Sequence, residues 1–163
     1  MCDPLGLKDT RVTLTPEMKA RLAIGHNGAL APVANWDIPT LAGARALRST
    51  TNDMLTFLAA NLGFVKTPLA QDTADEVSVR RSAGAPDMEI AYAWHIQTKD
   101  GSSIIWHNGG AGGYRTYMGY DPKARVGVVV LANISTPADV DDIGRHLPST
   151  ATSVSISSAL TRL

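Results

Sequence analysis

Chemistry concentrates in one stretch, Trp106-His107-Asn108-Gly109-Gly110-Ala111-Gly112-Gly113. An imidazole titrates near neutral pH, so His107 can donate a proton to a reacting group or polarise it. Glycines admit positive φ and let a ligand approach the backbone closely. Backbone amides freed at a strand end can hold a developing oxyanion. Taken by itself, the stretch is read equally well as a surface turn carrying a solvated histidine. Other residues offer less. His26, His95, His107 and His146 share no metal-ligand spacing, so neither metal nor cofactor is expected. Glycines 109–113 are no phosphate loop, since no Lys-Ser/Thr follows and no helix opens there. Arg81, three residues after Ser78, stays protonated and cannot serve that serine as a base. His95 reads as an ordinary sheet residue, and Trp36, Trp94 and Trp106 read as packing residues.

The elements that must position this stretch follow from periodicity and punctuation. Thr15-Pro16-Glu17 is a cap, a first-turn proline and an acid, and predicts a short helix over 16–23. Residues 25–28 read as a turn, and 29–48 as an irregular loop that Trp36 anchors. Ser49-Thr50-Thr51-Asn52-Asp53 starts a helix over 51–62, with Met54, Phe57, Leu58 and Leu62 at helical spacing and Gly63 as its stop. Thr67-Pro68 opens a second helix over 68–79. After Gly84-Ala85-Pro86 the period drops to two, predicting a strand through Ile90, Tyr92, Trp94 and Ile96. Asp100-Gly101 is a hairpin signal. Strands over 103–107, 114–120 and 126–133 follow, with a glycine turn at 109–113 and a turn at Asp121-Pro122-Lys123. The near-continuous Val/Leu run at 126–133 expects cover on both faces. A last helix is expected over 138–147, with Asp139, Asp141 and Asp142 complementing its positive end.

This order predicts an α+β fold, an antiparallel meander of about four strands with preceding helices and a C-terminal helix. Three regions are expected: a loop-rich helical segment over 1–85, the sheet and its helix over 86–148, and a tail over 149–163. The chain has 163 residues, 44% of them hydrophobic and 18% charged, enough for one core. Its 15 basic and 15 acidic side chains balance, which argues against a nucleic-acid partner. No apolar run is long enough to span a membrane. Cys2 is the single cysteine, and no signal-peptide pattern opens the chain.

Several segments in order resemble one family. His107-Asn108-Gly109, the pair Gly112-Gly113 before Tyr114, the turn at Asp121-Pro122 and Val126 through Asn133 resemble the serine penicillin-recognising proteins. These are class C β-lactamases, D-alanyl-D-alanine peptidases and related esterases. Pro4-Leu5-Gly6-Leu7-Lys8-Asp9-Thr10 is similar to their Pro-Leu-Gly-Met-x-Asp-Thr segment, and Ser49-Thr50 with Asp53-Met54 to their Ser-Thr-x-x-Asp-Met helix start. The resemblance implies a partial β-lactamase/transpeptidase-like fold. It implies that His107 fills the basic position of the third active-site motif, that Asn108 and Gly109 line the substrate, that Gly110 supplies half of the oxyanion hole, and that Asn133 lies near the substrate carboxylate. A histidine in place of lysine leans toward a peptidase or esterase.

The same family needs Ser-x-x-Lys, whose serine is acylated, and Tyr-x-Asn or Ser-x-Asn. No serine here is followed three residues later by lysine, and no tyrosine or serine two later by asparagine. The expectation is therefore the C-terminal part of a serine hydrolase acting on β-lactams, D-Ala-D-Ala peptides or esters, inactive alone. Its expected partners are the missing N-terminal portion or a second copy, with a small-molecule or peptide substrate in the whole protein. The resemblance implies a periplasmic or secreted parent, whose export signal would lie in the missing part. The rival reading is a non-catalytic fragment that self-associates through its sheet.

Overall fold

The computed structural model describes residues 1–99, 101–136 and 140–150. The expected tail over 149–163 lies largely outside these residues, as do Asp100 and Asp139. Short helices α1 (Cys2–Leu5) and α2 (Pro16–Ala20) precede β1 (His26–Asn27). A 3-10 turn (Pro39–Leu41) and α3 (Ala42–Arg45) lead into α4 (Thr51–Asn61) and α5 (Ala70–Asp75). Strands β2 (Arg81–Ser82), β3 (Met88–Ile90), β4 (His95–Lys99), β5 (Ser102–Ala111), β6 (Tyr114–Asp121) and β7 (Val126–Ala132) follow, then β8 (Ile134–Ser135) and α6 (Val140–Thr150). β2 through β7 form one antiparallel sheet of six strands in chain order, and β1 pairs with β8 in parallel. The sheet is thus larger than the expected four strands.

Two strand expectations need correction. The alternation over 90–97 is not one strand: it breaks at residues 91–94, where Ala93 takes φ +59° and the chain reverses from β3 into β4. The bend turns Trp94 inward, to 3% exposure, while Tyr92 stays exposed. The glycines at 109–113 are not one turn either. Gly109, Gly110 and Ala111 continue β5, and only Gly112 and Gly113 make the turn. Their φ values of +49° and +86° fit the two-residue hairpin in which both turn residues are left-handed. The helices over 16–23 and 68–79 are shorter than expected: the first stops at Ala20, and the second begins at Ala70 and gives way to a turn after Asp75.

Alternating side chains feed two cores. On one face Ile96, Ile105 and Tyr120 pack with Trp94 and with Leu58 of α4, and Met118 and Val129 lie against them. On the other, Trp106, Tyr117 and Val128 pack against Val140 of α6. β7 therefore has the two-sided cover its composition asked for.

The N-terminal segment is tied to α4 by a buried carboxylate. Thr50 caps the helix by accepting the Asp53 amide. The Asp53 carboxylate in turn accepts the Asp9 amide at 2.8 Å and the Thr10 hydroxyl at 2.7 Å. Thr10 is fully buried and also meets Ser49 Oγ at 2.8 Å. The two segments that resemble the family at 4–10 and 49–54 are thus one hydrogen-bonded unit. Replacing Asp53 by Ala removes the shared acceptor of the half-buried Asp9 amide and the buried Thr10 hydroxyl and is expected to cost about 1–3 kcal/mol, read as a lower urea midpoint; an unchanged midpoint would contradict this role.

Candidate functional site

The site is built on a mismatch of strand lengths. β4 begins at His95, which pairs with Trp106, so residues 107–111 of β5 are paired on the β6 side only. The two-residue turn makes Ala111 and Tyr114 a hydrogen-bonded pair. Alternation then directs the amides and carbonyls of His107, Gly109 and Ala111 toward β6. Those of Asn108 and Gly110 point to the open side. Gly110 is exposed there. The strand's edge is thus a backbone template on which an extended acyl group can lie, with the Gly110 amide available to an oxyanion.

Glycine is required at the hairpin tip by close approach. A Cβ on Gly113 would lie 2.4 Å from Val33 Cγ2 and 2.6 Å from the Gly25 carbonyl carbon. One on Gly25 would lie 2.4 Å from the Gly112 oxygen. Tyr114 Oη donates to the Ala23 carbonyl and to Asn35 Oδ1. The loop that follows α2 is thereby clamped to the tip and walls a cavity of ≈ 330 Å³, lined by Val33, Trp36, Gly110, Gly112, Arg115 and Ser135 among others. His26 and Asn27, expected in a turn, instead form β1 against β8.

His107 is exposed, and its ring lies 5.6 Å from that of His95. His95 stacks on Trp106 at 4.7 Å, and the Arg145 guanidinium of α6 sits over the same indole at 4.6 Å. Burial, followed by the charges of His107 and Arg145, holds the His95 imidazole below its ordinary value. Asn108 Nδ2 donates to Asp141 Oδ2 at 2.6 Å. Asp141, expected only to complement a helix end, therefore fixes the amide of a candidate substrate residue. Tyr117 is almost fully buried, and burial pushes its phenol up to about 12. Asn133 lies at the same end of the sheet as Gly110, since Ala132 pairs with Arg115 and Arg115 with Gly110. Its side chain donates to the Ile24 carbonyl at 3.0 Å, and its own carbonyl accepts from the His26 amide and ring. His107, Asn108, Gly109 and Gly110 thus share the open edge, while Asn133 holds the neighbouring loop. Among the described residues no cluster of His, Cys, Asp and Glu could hold a metal ion, and no helix is long and apolar enough to cross a membrane.

The family model for Beta-lactamase matches residues 1–151. The chain belongs to the beta-lactamase family. Beta-lactamase-like 1 of Homo sapiens is 26% identical over 147 residues, covering 88% of this chain and 29% of that protein. The D-alanyl-D-alanine-carboxypeptidase/endopeptidase AmpH of Escherichia coli K12 is 30% identical over 148 residues, covering 81% of this chain and 37% of that protein. A Beta-Lactamase/D-Alanine Carboxypeptidase structure from Pseudomonas syringae superposes with a TM-score of 0.81 at 18% identity, over 94% of this chain and 51% of that one. The α+β sheet is accordingly the beta-lactamase fold, and the chain spans about a third of these two relatives and half of the solved protein.

Sequence reasoning missed Asp141 and Arg145, because nothing local reveals that α6 lies over Trp106 and Asn108. Two outcomes follow from the geometry. Gly113→Ala combines positive φ with a backbone clash and is expected to cost at least about 2 kcal/mol by urea unfolding. The depressed His95 value means the folded chain binds fewer protons than the unfolded one. Its contribution is therefore present above about pH 6.5 and is lost as pH falls through the lower folded value. His95→Gln is expected to flatten the fall in urea midpoint between about pH 7 and 5; an equally steep fall would contradict the assignment.

Proposed function

We propose that this chain is the substrate-template half of a serine hydrolase that forms an acyl-enzyme with a β-lactam, a D-Ala-D-Ala peptide or an ester. The observation that carries the reading is the open edge of β5 at residues 107–111, in a chain of the beta-lactamase family. An acyl substrate would lie along that edge. The Gly110 amide would meet the carbonyl oxygen as it gains charge, and His107 would serve the proton traffic beside it. Asn108, held by Asp141, and Gly109 would line the acyl group, and Asn133 would keep the loop at 24–27 in place.

The 163 residues hold no Ser-x-x-Lys and no Tyr-x-Asn. In this reading the nucleophile and its base come from residues beyond these 163, on a longer polypeptide or a second one. The isolated chain is then inert: a labelled penicillin leaves it unmodified, and stoichiometric covalent labelling would contradict the proposal. Co-expression with a polypeptide that carries the family's Ser-x-x-Lys and Tyr-x-Asn motifs is expected to restore labelling. His107→Ala is then expected to slow it by about 10²-fold, the scale of a lost proton-transfer group. Labelling equally fast in the variant would remove His107 from the mechanism.

A further inference from the structure

Arg115 of β6 lies opposite Gly110 of β5. Ala111 and Tyr114 form a hydrogen-bonded pair, so Gly110 and Arg115 form the next, non-hydrogen-bonded one, in which side chains come closest. A Cβ on Gly110 would lie 3.0 Å from Arg115 Nη1 and 3.3 Å from its Cδ. The guanidinium therefore rests on the bare backbone of Gly110, beside the amide that faces the open edge. Its pose is held by Nε, which donates to the Thr136 carbonyl at 3.1 Å. Arg115 is half-buried, and among the described residues no carboxylate lies within ion-pair distance of it. Among those residues it is also the one charged group lining the cavity beside the hairpin tip, whose other walls include Val33, Trp36 and Ser135. The clamp at Gly25, Gly112 and Gly113 seats the loop that carries Val33 and Trp36, so the walls come preformed.

We propose that Arg115 makes this cavity a carboxylate subsite, which takes an anionic group of the substrate that reaches past Gly110 toward the hairpin tip. A guanidinium presents a planar fork of donors that matches a carboxylate, and partial burial reduces the screening of the pair by water. Charge along the edge favours this placement. Asn108, on the same face as Gly110, is bonded to the Asp141 carboxylate at 2.6 Å. An anion is repelled at the Asn108 end and attracted at the Arg115 end. Arg115 thus determines specificity, favouring acyl compounds with a free carboxylate on the tip side over neutral esters.

The inference rests on the hydrolase reading in calling the ligand a substrate, and its test reads binding without acylation. The isotope-labelled 163-residue chain is titrated with acetyl-glycyl-glycine and, separately, with its neutral C-terminal amide, and followed by NMR. The acid is expected to give saturable shifts at Gly110, Ala111, the Arg115 Nε–H and the Trp36 indole N–H, and to bind about tenfold more tightly than the amide. Added salt is expected to weaken the acid and leave the amide unchanged. Arg115→Gln is expected to bring the two peptides to equal affinity, and Arg115→Lys to keep part of the preference. Equal affinity in the unaltered chain, a preference that survives Arg115→Gln, or shifts centred on Lys19 and Arg48 instead would overturn the subsite. Failure of the co-expressed protein to acylate, with the preference for the acid intact, would overturn the hydrolase reading and leave the subsite standing.

Discussion

The organisation of the molecule depends on one constraint: β5 is ten residues long and β4 covers only its first half. A strand in mid-sheet normally has both edges satisfied, because unpaired amides and carbonyls are costly once water is excluded. Here residues 107–111 keep one edge open, and this is tolerable only because the edge faces solvent. The remainder of the architecture holds the overhang straight. β6 pairs with it over its full length, Trp106 and Tyr117 stack beneath it, and α6 closes over them through Val140 and Arg145. In the proposed reading, rigidity in the strand and freedom at its edge suit it to serve as a template for an acyl group.

Two further contacts keep the template in register with its surroundings. The Asp53 carboxylate joins the N-terminal segment to α4, which supports the opposite face of the sheet. The clamp at Gly25, Gly112 and Gly113 seats a loop against the hairpin tip, at a distance side chains would forbid. A carboxylate in one place and missing Cβ atoms in the other do the same work. Each converts a loop-rich segment, which has little core of its own, into a wall of the site.

Much of this was legible in the sequence. The cap at Thr50 and the stripe of Phe57, Leu58 and Leu62 marked α4 to within a residue, because local capping and packing agree there. The order of motifs around His107 pointed to the beta-lactamase family, which the family model bears out. What failed was punctuation. Gly109 and Gly110 read as part of a turn because glycine usually signals one, yet here they extend β5 to Ala111 along its unpaired edge. Alternation over 90–97 hid a chain reversal, since Ala93 gives no local sign of its positive φ. The partnership of Asn108 with Asp141 was out of reach, because the two are 33 residues apart and meet only through the packing of α6 on the sheet.

The central claim is that alternate residues of β5 offer their backbone to the open side. Amide hydrogen exchange resolved residue by residue tests it most directly. Slow exchange is expected at His107, Gly109 and Ala111, whose amides bond to β6, and fast exchange at Asn108 and Gly110, whose amides do not. Uniform protection across 107–111, or the opposite alternation, would contradict it.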